Sequence, residues 1–311
     1  MKKFDVHGHY FPPAYEELLK RHELSILDGA KRPAWSEEGQ LSFMDELDIE
    51  KTALSISSPH LHMGDVAEAV ETARACNEYG AGLLKKYPGR FEIMASLPVP
   101  EIGYAIGEIR YCREYLGIRN FALQTHSRGI YLGSEVLEPL MEELNRKQTV
   151  VAVHPTQPSA VCGGVNEKLP SALMEYFFET TRAVTNMLMN GTIRKYPNIR
   201  WIIPHAGAFL PVLSDRLATL AGALKLSDNL DIFGDLALLY YDLAGISMPK
   251  QYEVLQKIAP ADHLMYGSDE PFTPPVLCRK LAEVMEQTIA GEWQEDIFSG
   301  NAERLYKEMA W

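Results

Sequence analysis

Two histidines one residue apart mark the first place in this chain where chemistry could occur, in the segment Asp5-Val6-His7-Gly8-His9. Strand side chains two apart project to one face, so His7 and His9 point the same way, with Asp5 on that face and deeper in the strand. His154 ends the run VVAVH, His205 ends WIIPH and Asp269 ends MYGSD. His7 and His9 make half a metal site, which a third imidazole and a carboxylate complete as a nitrogen and oxygen donor set suited to Zn2+ and acceptable to Mn2+ or Fe2+. A single histidine at the end of an apolar strand is ordinarily a satisfied structural residue. Several imidazoles and a carboxylate gathered without a cation would be costly, so together they point to one divalent metal ion per chain, Zn2+ or Mn2+.

These residues need a scaffold that brings distant strand ends together. Eight short apolar, β-rich runs recur along the chain: Phe4–Tyr10, Thr52–Ser58, Phe91–Leu97, Asn120–Thr125, Thr149–Pro155, Arg200–His205, Ala237–Ala244 and His263–Asp269. Helical patterns lie between them, at Val66–Lys86, Ile106–Leu116, Glu135–Lys147, Ser171–Lys195, Phe209–Leu224, Pro249–Ile258 and Val276–Ala290. This alternation reads as α/β, and eight strands fit a closed (β/α)8 TIM barrel better than an open doubly wound sheet. No Gly-x-Gly-x-x-Gly or Walker-type loop is present. The barrel places active sites at the carboxyl ends of its strands, where the histidines and Asp269 fall. The length suits one domain over residues 1–311, with an insertion at about Phe11–Gln40 that reads as a small cap or a subunit contact.

Other polar residues have competing readings. His60 and His62 follow Pro59 in a loop beside the pocket; His60 is a substrate-binding candidate, and His62 reads as a solvated surface residue. His126, after the fourth run, either touches substrate or caps a turn. Asp242 in LYYDLAG reads as a structural carboxylate behind the site. The formal net charge of −12 disfavours nucleic acid, which requires a basic surface. No apolar segment is long enough to span a membrane, and no secretory signal is evident at MKKFDVHGHY. Cys76, Cys112, Cys162 and Cys278 form no Cys-x-x-Cys pair and read as reduced thiols in a cytoplasmic protein.

The chain resembles the amidohydrolase superfamily, in the branch of aminocarboxymuconate-semialdehyde decarboxylase and its relatives. The matching pieces are Asp5-Val6-His7-Gly8-His9, VVAVHP, FFETTRAVTNMLMNGTIRKYPNIRWIIPHAG, GSDEPF and GNAERLY, and they run along essentially the whole chain. Each is a weak string alone; their order and spacing are specific. The resemblance implies one metal on His7, His9, His154 and Asp269, with His205 near the metal's water. It also implies loss of carboxylate from an unsaturated or aromatic acid without an organic cofactor. An arginine contributed by a neighbouring subunit in decarboxylase relatives corresponds to Arg216 in HAGAFLPVLSDR, which implies a homodimer and a substrate-binding role for Arg216; a helix-surface ion pair is the other reading. A second substrate arginine would fall near Ser42 and is missing, a departure from the semialdehyde decarboxylase pattern.

The expected reaction is therefore non-oxidative decarboxylation of a small carboxylic acid, with metal-bound water and with Asp269 and His205 moving the proton. A hydrolase or hydratase could use the same residues, and a silent metabolite-binding barrel is a third reading. Gln124-Thr125-His126 offers no lysine after the fourth strand, which favours one metal over two.

Overall fold

A computed structural model describes residues 1–160, 164–165, 168–226 and 230–309. Eight parallel strands form one sheet in chain order: β1 (Lys3–His9), β2 (Ile49–Ser55), β3 (Phe91–Ser96), β4 (Asn120–Gln124), β5 (Thr149–His154), β6 (Ile199–Ile203), β7 (Tyr240–Asp242) and β8 (Leu264–Met265). Main-chain bonds close β8 onto β1: Val6 N donates to Tyr266 O (3.0 Å), Asp269 N to His7 O (2.8 Å) and His9 N to Glu270 O (2.8 Å). The fold is a (β/α)8 TIM barrel.

The interior is packed. Val6, Ala53, Met94, Ala122, Val150, Ile202, Tyr240 and Met265, one from each strand, form a buried cluster. The last helix, Asn301–Glu308, presses Ala302, Leu305 and Tyr306 against the same cluster, and the Tyr306 ring lies 5.1 Å from that of Phe4. Val66–Lys86 forms a 21-residue helix, started by Asp65 accepting from Glu68 N at 2.8 Å.

The later strands are shorter than their apolar runs. Ile232–Ala237 is helical, capped by the Asp231 side chain, so β7 begins only at Tyr240. β6 ends two residues before His205, where Pro204 leads into a tight turn with left-handed φ at His205 (56°) and Ala206 (51°). β8 ends four residues before Asp269, which also has a left-handed φ of 61°. Side chains replace the sheet ladder at both places. Asp242 Oδ1 accepts from His205 N (2.9 Å), and Asp5 accepts from Ser268 N (3.0 Å) and Ser268 Oγ (2.6 Å). The stretch Ser171–Lys195 is likewise broken, with helices at Glu175–Met189 and Thr192–Lys195 separated by Gly191 at φ 65°.

The insertion after β1 comprises a helix (Pro13–Arg21), a two-stranded hairpin (Ile26–Leu27 with Ala30–Lys31) and a helix (Glu37–Glu46). Its hairpin turn is bonded to the barrel loop after β5 by Ser171 N donating to Asp28 O at 2.8 Å. Among the described residues no helix is long and apolar enough to cross a membrane. Cys76, Cys112 and Cys278 are free and buried; Cys162 lies outside the described residues.

Asp5 is fully buried and accepts from His7 N (3.0 Å) as well as from the two Ser268 donors, so it ties the seam of the barrel together. Asp5→Ala leaves those donors without that acceptor and is expected to cost about 3 kcal/mol, measured by denaturant unfolding. An unchanged midpoint would remove Asp5 from the account of closure.

Candidate metal centre

His7 and His9 leave β1 side by side, with their Nε2 atoms 3.1 Å apart. Asp269 Oδ1 lies 3.2 Å from His9 Nε2 and 3.5 Å from His7 Nε2. His154 comes in from the end of β5, its ring centroid 4.8 Å from that of His9 and 5.5 Å from that of His7. One donor atom from each of the four lies within 4.8 Å of all the others. The three imidazoles are buried.

The far side of each ring decides what the near side offers. His7 Nδ1 donates to Asp242 Oδ2 (2.8 Å), His9 Nδ1 faces Ser55 O (3.3 Å) and Ser55 Oγ (3.1 Å), and His154 Nδ1 donates to Pro155 O (2.6 Å). Carboxylate and carbonyl oxygens only accept, so these contacts place a proton on each Nδ1 and a lone pair on each neutral Nε2. Three Nε2 lone pairs and a carboxylate therefore converge. Two such nitrogens at 3.1 Å repel unless a proton or a cation lies between them. The donor set, with its outer hydrogen bonds in place, fits a divalent cation with nitrogen and oxygen ligands.

The site's charges respond accordingly. Burial opposes charge on His7, but the Asp242 carboxylate, its hydrogen bond and Asp269 outweigh it and push the pKa up to about 9. Burial lowers His9, and burial with the neighbouring His9 and His7 holds His154 well below the usual imidazole range. Asp269 is held well below the usual carboxylate range: burial opposes this, and the attraction of the His205, His9 and His7 imidazoles around it prevails. These opposite shifts leave the Asp269 anion beside His9 and His154, which resist protonation, while His7 favours it.

The amidohydrolase family model matches residues 4–307. This chain belongs to the amidohydrolase family. A 6-methylsalicylic acid decarboxylase of Aspergillus aculeatus is 30% identical, over 93% of this chain and 90% of its own length. The crystal structure of a protein described as amidohydrolase II superposes with a TM-score of 0.94 at 38% identity, covering 98% of this chain and 100% of the other. A 5-carboxyvanillate decarboxylase from Novosphingobium aromaticivorans, complexed with manganese and 4-hydroxy-3-methoxy-5-nitrobenzoic acid, superposes with a TM-score of 0.86 at 20% identity, covering 98% and 96%.

In this amidohydrolase His154 and Asp269 of the donor set, together with His205, line a cavity of about 90 Å³. His205 Nε2 stands 3.9 Å from Asp269 Oδ2. The left-handed turn carrying His205 is held from behind by Gln251 Nε2, which donates to His205 O (2.5 Å) and Ala208 O (3.2 Å). Tyr176, Phe177 and Phe272 form aromatic walls, with Leu27, Asp28 and Ala30 of the cap on the remaining side. A larger open groove of about 660 Å³ lies on the outer surface of the cap and contains none of these residues.

Several expectations fall elsewhere. His60 lines a separate small cavity with Gln124 and Leu97. His126 accepts from Gly129 N through Nδ1 (3.3 Å) and donates to Gln157 O through Nε2 (3.0 Å), so it caps its own turn. His62 is not solvated: its side chain is only 4% exposed and lies 3.4 Å from Glu101. Arg216 is exposed on the helix Leu210–Ala223 and does not line its own chain's cavity. The cavity's Asp28, Tyr176, Phe177 and Phe272 were not singled out by spacing. Asp28 carried a readable signal, because Leu27-Asp28-Gly29-Ala30 is an Asp-Gly hairpin turn.

Asp242 bonds His7 Nδ1 through one oxygen and His205 N and Ala244 N (3.0 Å) through the other, which joins the donor set to the His205 turn. Asp242→Ala is expected to weaken divalent-cation affinity about 10- to 100-fold, measured by competition with a chromogenic chelator. Wild-type affinity in that variant would mean that His7 is oriented without Asp242.

Proposed function

We propose that the protein is a metal-dependent carboxy-lyase that removes the carboxyl group of a small aromatic acid without oxidation. The observation that carries this reading is the convergence of three Nε2 lone pairs and the Asp269 carboxylate beneath a cavity walled by Tyr176, Phe177 and Phe272. The flat walls suit a benzoate ring, and the related 6-methylsalicylic acid and 5-carboxyvanillate decarboxylases support that substrate class. One divalent ion per chain on His7, His9, His154 and Asp269 is part of the proposal. The manganese of the 5-carboxyvanillate enzyme favours Mn2+, while the ligand types equally suit Zn2+.

A bound cation would supply positive charge that holds the acid's oxygens and draws electron density from them. The chain's own groups account for the proton. Decarboxylation adds a proton to the ring carbon bearing the carboxylate; the bond to that group then breaks, its electron pair stays with the ring and carbon dioxide leaves. Asp269 is placed to relay the proton, and His205, 3.9 Å away, to replenish it. The apolar walls exclude water from the competing attack. His60, which lines a separate cavity, and His126, held by Gly129 N and Gln157 O, have no part in the scheme.

We also infer a homodimer in which Arg216 serves the neighbouring chain's substrate. On the helix Leu210–Ala223, Val212, Arg216 and Leu220 lie one turn apart, and Leu224 continues the row; all four are exposed. An exposed apolar row around a cation supports a subunit contact. A cytoplasmic location is consistent with the three free buried thiols.

Incubation with a panel of hydroxybenzoates is expected to release carbon dioxide, and chelation to stop it. Asp269→Asn should retain the metal and lose at least about 100-fold in rate. His205→Asn should be comparably slow with near-normal metal content, whereas His7→Ala and His9→Ala should lose both. Elemental analysis beside rate distinguishes these classes, and wild-type turnover in metal-loaded Asp269→Asn would contradict the proton relay. Light scattering at micromolar concentration should report a dimer; a monomer would remove the shared site.

A further inference from the structure

The cap carries a carboxylate into the cavity. Asp28 occupies the first position of the two-residue turn Asp28-Gly29, with φ of 47° and 87° at the two residues, the left-handed pair that an Asp-Gly hairpin provides. The position is over-determined. Ser171 N donates to Asp28 O (2.8 Å), and a Cβ on Gly29 would lie 2.7 Å from Pro170 Cα, so the turn fits closely against the barrel loop. Two neutral hydroxyls, Ser58 Oγ (2.5 Å) and Tyr176 OH (2.7 Å), donate to Asp28 Oδ2. Both bonds end on one oxygen, which leaves Oδ1 to accept from a molecule in the cavity that Asp28 lines.

Such a group discriminates by chemistry. An anion repels the carboxylate of a substrate and accepts from a hydroxyl, so it turns the acid group toward the metal centre and favours a ring with a donor at its opposite end. We infer that Asp28 is a specificity-determining residue that reads a hydroxyl on the ring edge remote from the carboxylate, and that the preferred substrate is a benzoate carrying such a hydroxyl. This rests on the aromatic-acid reading above. A residue that served only to latch the cap would treat all substrates alike.

The test compares 2-hydroxybenzoates bearing a second hydroxyl at position 3, 4 or 5 with the counterparts methoxylated at that position, which keep the oxygen and lose the donor. Binding to the metal-loaded protein is measured by calorimetry, with carbon dioxide release in parallel. At one position the hydroxyl compound should bind about 10- to 100-fold tighter than its methoxy counterpart, the usual range for a hydrogen bond to a charged group. In Asp28→Asn that ratio should fall to within about threefold. Tyr176→Phe removes one latch bond and keeps the carboxylate, so the ratio should persist there, which keeps the inference testable if Asp28→Asn fails to fold. No discrimination in the wild type, loss of it in Tyr176→Phe, or an equal loss of affinity for both members of every pair in Asp28→Asn would overturn the assignment. Discrimination in binding without any carbon dioxide release would leave Asp28 as the reader of the hydroxyl and remove the decarboxylase reading instead.

Discussion

The site depends on a repulsion. Two imidazole nitrogens, each with its proton committed on the far side of the ring, face one another at 3.1 Å at the end of β1. Without positive charge between them, that arrangement would be expelled from a buried interior. Much of the surrounding structure serves to hold it: Asp242 and Ser55 fix the two rings, Pro155 O fixes His154, and the barrel closure brings Asp269 from the last strand to the first. A divalent cation would relieve the conflict, and the donors are already arranged to hold one.

The cost of that arrangement is visible in the backbone. His205, Ala206 and Asp269, at or beside the site, have left-handed φ values that non-glycine residues rarely adopt. Each turn is secured by side chains behind it, Gln251 and Asp242 for His205 and Asp5 for the segment leading to Asp269. The cap repeats the device on the substrate side, where the Asp28-Gly29 turn is fastened to the loop after β5. A rigid donor set below and a fixed carboxylate above define the shape and polarity of the space between.

Local pattern revealed the scaffold and the gathering of His7, His9, His154 and Asp269, because strand periodicity and strand-end position are short-range properties. The limits of β6, β7 and β8 were less legible. Their apolar runs continue past the true ends, and tertiary hydrogen bonds from Asp5 and Asp242, distant in sequence, decide where the ladder stops. The directions of His60 and His126 were illegible for a similar reason: a loop residue's direction is set by its contacts, such as Gly129 N and Gln157 O, which decide for His126 between its two readings, and not by a repeat. The aromatic walls were hidden in helical and loop segments, where Tyr176, Phe177 and Phe272 look like ordinary apolar residues until the cavity is seen.

The central claim is that the three Nε2 atoms and Asp269 share one cation. Anomalous scattering from crystals grown with Mn2+ or Zn2+, recorded on both sides of the metal's absorption edge, tests it most directly. A single peak per chain is expected, about 2.0–2.2 Å from the Nε2 atoms of His7, His9 and His154 and from an Asp269 oxygen. A site without the peak, in crystals of protein that still releases carbon dioxide after chelation, would contradict the account.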